Sequence, residues 1–347
     1  MKKLFMVFLV FFISQVFAYD ISVKGNLKTS MESGEGSGPK FNVNTARISA
    51  SVDGANSFAY LQAKVAEGID NKFKFGRGYV GYKFYFADAQ IGRFKVPIGI
   101  DHLTSSSKLD LVEESVLTSY LTHGTKDGLM ISGDIIGNLS YNLAFMNTSN
   151  DAYRGVDNAY AARLTFDHAS LHLEAAYALQ ENNVVTTTSS PTSIAVRSNR
   201  DFSTLALGLS LDMEKWIFKM ERISGHNTVL PGPFFPLGVT EDYFDMTTTY
   251  FHFAYRIATS LEILTRHYIS KVESTQSALN YNSEMTNTYF GINFMRDEKL
   301  AVQVNYIFTS WSHEYDSTGS LRNTSPFLEI DGIRSSDTFV ALVRLLF

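Results

Sequence analysis

The 347-residue chain has no cysteine and only seven prolines. Without thiols it can form no disulfide, no thiolate metal site and no acylated N-terminal cysteine. That excludes a stapled secreted fold and a lipoprotein. An excess of one charge is also missing: 30 Lys and Arg stand against 35 Asp and Glu, a formal net charge of −5. Such a chain is no general nucleic-acid binder. After the first eighteen residues no apolar run approaches the roughly 20 residues of a transmembrane helix, and no segment shows convincing helical periodicity.

The one long apolar run is N-terminal. Met1-Lys2-Lys3 leads into Leu4 to Ile13 and then Ser14-Gln15-Val16-Phe17-Ala18. A basic start, an apolar middle and small residues before the cut predict a secretory signal peptide over 1–18, cleaved after Ala18. The mature chain, 19–347, then carries 28 basic and 35 acidic residues, a net charge of −7. Its charge is uneven: 11 basic against seven acidic residues from Tyr19 to Ile100, and 17 against 28 thereafter.

What the chain does have is aromatics (27 Phe and 18 Tyr) and alternation. In Leu171–Gln180, Leu171, Leu173, Ala175, Tyr177 and Leu179 share one face of a strand, and His172, Glu174, Ala176, Ala178 and Gln180 share the other. Sixteen segments of this kind run from 19–29 to 336–347. Short connections at 53–56, 87–88, 136–137, 167–169, 212–214, 258–260 and 297–298 alternate with long ones at 30–40, 67–74, 98–126, 149–156, 181–200, 225–245, 272–284 and 313–335. Outer-membrane barrels sort their connections into short periplasmic turns and long external loops. With no membrane helix, only a closed barrel can satisfy its backbone in lipid. The predicted fold is therefore all-β: a transmembrane antiparallel β-barrel of about 16 strands, with both termini on the short-turn side.

Charge fixes the register. Tyr160, Ala162, Leu164 and Phe166 alternate with Arg163, and an arginine facing lipid near the midplane costs about 2–4 kcal/mol. Arg163 is thus predicted in the lumen, as are Lys24, Arg47, Lys64, Lys83, Glu174, Lys219 and Arg256. A 16-strand barrel leaves an aqueous channel, so the interior is expected to be wet and not a packed core. The third long connection, 98–126, is the longest and mixes charge with Leu and Val. It is expected to fold inward and constrict the pore, with Arg93, Lys95, Asp101, Lys108, Asp110, Glu113 and Glu114 setting selectivity. The early basic residues Lys24, Lys28, Arg47, Lys64, Lys83, Arg93 and Lys95 have two readings. They are ordinary solvated lining, or a basic stripe facing the acidic loop across the narrowest section.

The stretch Ile91-Gly92-Arg93-Phe94-Lys95-Val96-Pro97-Ile98-Gly99-Ile100, followed by Leu103-Thr104-Ser105-Ser106 and Glu113-Glu114-Ser115, resembles the phosphate-selective porin O/P family. In that family a similar Gly-x-Phe-Lys-x-Pro strand leads into the constriction loop. The resemblance implies a homotrimer of 16-stranded barrels in which basic residues, here Arg93 and Lys95, guide anions into the constriction. The last strand (Phe339, Ala341, Val343, Leu345, Phe347) is similar to the terminal signal read by outer-membrane assembly machinery. The expectation is a porin in a Gram-negative outer membrane, passing small hydrophilic solutes or anions such as phosphate. It would touch outer-membrane lipid and lipopolysaccharide and need no cofactor or metal. The preference between anions and cations stays open.

Two other classes compete. His168-Ala169-Ser170 has the His-x-Ser spacing of an outer-membrane phospholipase, a hydrolase. The topology, however, puts it in a short periplasmic turn, away from the outer lipid interface. A barrel plugged by its long loops would instead serve as an adhesin or receptor. Within those loops, Gly34-Glu35-Gly36-Ser37-Gly38 reads as an external turn and Pro231-Gly232-Pro233-Phe234-Phe235-Pro236 as a rigid one.

Overall fold

The structure, a computed structural model, describes residues 19–34, 38–65, 73–105, 109–111, 118, 121–147, 158–181, 184–187, 194–197, 201–228, 244–274, 281–295, 299–315 and 336–347. The predicted leader 1–18, residues 35–37, the segment 231–236, and Lys108, Glu113 and Glu114 lie outside the described residues.

The strands are β1 (Asp20–Gly34), β2 (Lys40–Asp53), β3 (Ser57–Val65), β4 (Phe73–Lys83), β5 (Asp88–Lys95), β6 (Thr125–Ile136), β7 (Leu139–Asn147), β8 (Asn158–His168) and β9 (Leu171–Gln180). They continue with β10 (Val184–Thr187), β11 (Ile194–Arg197), β12 (Phe202–Asp212), β13 (Trp216–Thr228), β14 (Phe244–Ala258), β15 (Leu261–Ser274), β16 (Tyr281–Met295), β17 (Leu300–Tyr315) and β18 (Thr338–Leu346). A single helical turn, α1 (Ile100–Leu103), sits in the third long loop. Sixteen strands close an antiparallel meander in which β1 pairs with β18. Strands β10 and β11 pair only with each other, forming a hairpin inside the predicted 181–200 loop. That hairpin was not expected from the sequence.

The predicted alternation is present throughout. On β8, Tyr160, Leu164 and Phe166 are exposed, while Ala159, Ala161 and Thr165 between them are buried. The exposed row is the outer face. Aromatics crowd it on β13 to β17, where Trp216 packs on Tyr255, Phe290 on Phe308 and Tyr306 on Phe308. These outward rings are the girdle that a lipid-facing band carries. The ring closes at the chain ends, where Gly25 donates its N–H to the Phe347 carbonyl at 2.6 Å.

One expectation needs correcting. The interior is not wet all round. Inward Ala144, Ala159, Ala161, Ala176, Ala178 and Ala206 on β7–β9 and β12 form a buried cluster with Phe94, Val96, Ile98 and Leu121 at the root of the third loop. Small inner residues leave room for a loop, and the loop fills that room with apolar side chains. At about 25 cal/mol per Å² of apolar surface removed from water, this burial is what draws the loop inward.

Candidate functional site

The loop turns inward directly after β5. Val96 and Ile98 are fully buried, and Gly99 adopts φ 87, a conformation that only glycine takes without strain. The turn exposes two backbone N–H groups, and the far wall supplies acceptors. Gly99 N–H donates to Glu174 Oε1 at 2.8 Å and Ile100 N–H to Glu221 Oε1 at 2.5 Å. Ile100 lies against Gly208, where an added Cβ would come within 2.5 Å of Ile100 Cδ1. A larger residue there would displace the Ile100 side chain.

Beyond this point the loop is held by charge. Asp101 is ion-paired with Arg266 and accepts a hydrogen bond from Tyr250 Oη at 3.2 Å. Asp110 meets Lys219 Nζ at 2.5 Å and Arg266 Nη2 at 3.5 Å, with His252 Nε2 at 3.6 Å. The Leu109 and Asp110 carbonyls accept from Gln303 Nε2, both at 3.1 Å, and Asn293 Nδ2 donates to the Asp110 carbonyl at 2.8 Å. Burial alone would raise the Asp110 pKa, but the Lys219 and Arg266 charges outweigh it and hold the carboxyl below the ordinary aspartate value. The side chains of Arg266 and Asp101 are 1% and 2% exposed. Breaking such a buried pair from one side costs about 3–5 kcal/mol.

The returning limb docks on β12. Thr204 Oγ1 donates to the Leu121 carbonyl at 3.1 Å and lies 3.0 Å from His123 Nε2, whose ring stacks on Phe202 with centroids 4.3 Å apart. Burial, then the neighbouring Lys126 charge, lowers the His123 pKa to about 3. The ring is therefore neutral at physiological pH. These bonds join the loop to β9 and to β12–β17, across the lumen from β1–β4.

The inner face of β1–β4 is basic. Arg47 and Lys64 are direct cross-strand partners, an arrangement of like charges that destabilises a sheet. Arg77 sits opposite Gln62 and donates to Tyr60 Oη at 3.1 Å, its guanidinium 4.9 Å over the Tyr60 ring. Tyr60 stacks on Tyr79 at 5.4 Å. One strand further round, Lys28 faces Arg344 on β18, and Lys24 stands opposite Ser49.

Several predicted site residues take other places. Arg93 shares the face of the exposed Ile91 and so points outward, because the buried Phe94 takes the inward position beneath the loop. Its guanidinium forms a bidentate pair with Asp127, 2.7 Å at each contact, 5.8 Å from the outward Phe75 ring. Lys95 spends its ammonium on the His102 and Thr104 carbonyls, the latter at 3.2 Å, and so tethers the loop. Asp101 and Asp110 are bonded to the wall and do not line open water. Lys83 pairs with Asp53 at 2.5 Å and Arg256 with Asp212 at 2.8 Å, both near the short-turn end. Arg163 and Glu174 do face inward, 2.7 Å apart, and Lys219 faces inward onto Asp110.

Glu221, Arg266, Tyr250, Gly208 and Arg77 were not singled out from the sequence. Alternation places Glu221, Arg266 and Tyr250 on the inner face, but no local signal joins them to a loop more than 100 residues away, and Arg77 reaches the inner face through a register shift on β4. His168 is in the β8–β9 turn and pairs with Asn138, Nδ1 to Nδ2 at 2.9 Å. Its imidazole is thereby turned toward the neighbouring turn, and Ala169 between it and Ser170 has φ 50.

Comparison with known proteins follows this geometry. The family model described as phosphate-selective porin O and P matches residues 24–253. A loop-deletion mutant of OmpT, an outer membrane protein of Vibrio cholerae, aligns with TM-score 0.69 at 11% identity, covering 95% of this chain and 100% of that one. Salmonella typhi OmpF, in complex with daunomycin, gives 0.67 at 11% identity over 95% and 98%. An anion-selective porin from Comamonas acidovorans gives 0.65 at 11% identity over 95% and 100%. At these identities the structures share the fold. A search of curated protein sequences finds no match to the chain.

Proposed function

The chain belongs to the phosphate-selective porin O and P family, and from that premise we propose how this outer-membrane porin selects its solutes. Small hydrophilic solutes diffuse between the docked third loop and the basic inner wall of β1–β4. Small anions, phosphate among them, are favoured. Passage is passive and involves no covalent chemistry. Residues 1–18 serve as the export signal, and three copies assemble in the outer membrane.

One observation carries the anion reading. Both described loop aspartates, Asp101 and Asp110, are neutralised by Arg266 and Lys219 on the far wall. Meanwhile Arg47, Lys64 and Arg77 stand together on the near wall. A cluster of one sign against low-dielectric walls focuses its field into the channel and enriches the opposite ion. The acidic net charge of the chain matters less than these few side chains, since screening confines distant charges to about 8 Å.

The test is the zero-current potential across a planar bilayer in a salt gradient, with chloride and then with phosphate. The wild type is expected to prefer anions, and Arg47→Gln with Arg77→Gln to lower the permeability ratio severalfold. A cation-preferring wild type would overturn the anion reading.

A further inference from the structure

We propose that Arg222 on β13 binds a phosphate of an outer-leaflet lipid headgroup, making a lipid site on the outside of the barrel. The inference rests on the barrel lying in the outer membrane and is independent of what passes through it. Arg222 is exposed and shares the outer face with Trp216 and Met220, while its neighbours Glu221 and Ile223 point inward and are 1% exposed. Its cross-strand partners are Leu207 and Thr249. Among the described residues no carboxylate stands within ion-pair distance of it. Other outward cations differ: Arg93 is neutralised by Asp127, and Lys271 by Glu284 at 2.9 Å.

Its height decides what it meets. Six residues separate Trp216 from Arg222, which at about 3.3 Å per residue and a tilt near 40° is a rise of about 15 Å. From there on the outward positions turn polar, Ser224 and His226 on β13 and Thr249 and Thr247 on the neighbouring β14. Arg222 therefore stands where the apolar row of the outer face ends, on its long-loop side. There a lipid-facing arginine costs only about 0–1 kcal/mol, and its planar fork matches a phosphate bidentately.

The surroundings fit a lipid better than a free ion. On the long-loop side are hydroxyls: Thr249 directly across, and Thr247 Oγ1 3.5 Å from Ser224 Oγ. On the other side Leu207, Met220 and Phe251 form an exposed apolar shelf, with Leu205 beside it. A phosphate at Arg222 with acyl chains along that shelf satisfies both halves of the patch.

The test uses the whole barrel purified in detergent and a bis-phosphorylated lipid A as probe, with retained lipid counted by native mass spectrometry. Wild type is expected to retain it, and Arg222→Gln to retain about tenfold less, as for the loss of a charge-assisted pair. Thr249→Val, which leaves the guanidinium in place, should lower retention by a smaller factor. Arg93→Gln should leave it unchanged. Equal retention by Arg222→Gln, equal binding of dephosphorylated lipid A, or complete displacement by millimolar inorganic phosphate would each overturn the proposal. Single-channel conductance of Arg222→Gln should match wild type. A wild type that does not conduct would count against the channel reading alone.

Discussion

The two halves of the barrel wall carry the same outer face and opposite inner ones. On β7–β9 and β12 the inward positions include six alanines packed under the loop, and on β13–β17 they include Glu221, Tyr250, Arg266, Asn293 and Gln303, all meeting the third loop. On β1–β4 the inward positions are Lys24, Arg47, Lys64 and Arg77, beside Tyr60 and Tyr79. The first half is a socket and the second a charged wall. An inward charge therefore has two fates. On the socket side it is desolvated and must be paired, so it holds structure. On the wall like charges stand side by side, Arg47 against Lys64 with Arg77 beside them, and in the proposed channel their common sign is what a solute meets.

The largest test of this division is Arg266→Ala. It leaves Asp101 without its cation and Asp110 with one fewer, at a cost of about 3–5 kcal/mol to loop docking. The expected outcome is a wider, noisier channel in single-channel records, with the barrel still folded. An unchanged conductance would mean that apolar packing alone holds the loop. Gly208→Leu attacks the same socket by volume. With Ile100 Cδ1 only 2.5 Å from any added Cβ, Ile100 must leave its seat on β12. Overpacking of this kind costs about 1–3 kcal/mol, and larger open-channel noise is the expected reading. On the wall side an added side chain, such as Ser49→Leu, should narrow the channel without adding noise.

pH sharpens the same comparison. The His123 pKa is lowered to about 3, so the docked loop holds a neutral ring. An undocked loop would let the ring return toward its ordinary value near 6.5. Undocking then takes up a proton, so docking is fully stable above about pH 6.5 and weakens as pH falls below it, toward 3. Asp110 adds to this lower down. Its depressed pKa means the ion pair is intact above the ordinary aspartate value, near 3.9, and is lost as pH falls through the folded one. Channel noise should rise between pH 6 and 4 in wild type. In His123→Gln that rise should vanish, leaving only a steeper change at lower pH. Identical profiles for the two proteins would remove His123 from the account.

Much of this organisation was legible in the chain. Sixteen strands, sorted loops and the inward register of Arg163 and Lys219 follow from period-two alternation and the cost of charge in lipid, both local signals. Even the inward fold of 98–126 was readable, because its Leu and Val need a surface. The partners of that loop were not. Glu174 and Glu221 accept from Gly99 and Ile100 across separations of 75 and 121 residues, and nothing near position 99 specifies them. The β10–β11 hairpin was missed for a different reason. Strands of four residues are too short for alternation to register.

Arg93 is the instructive failure, and its substitution should have the smallest effect. The sequence places it one step before the constriction loop, among residues that look built to guide anions. Parity decides otherwise. Phe94 must enter the buried cluster with Val96 and Ile98, and in a strand its neighbour then faces out. There the guanidinium is neutralised by Asp127, and the side chains are 26% and 44% exposed. A pair this exposed contributes no more than about 1 kcal/mol. Arg93→Gln should therefore leave the zero-current potential where it is, while Arg47→Gln moves it. Thermal unfolding should drop slightly, and the combined Arg93→Gln, Asp127→Asn barrel should recover part of that drop. If Arg93→Gln instead shifts the potential as far as Arg47→Gln, the outward register of β5 is wrong, and the charged wall extends one strand further than β4.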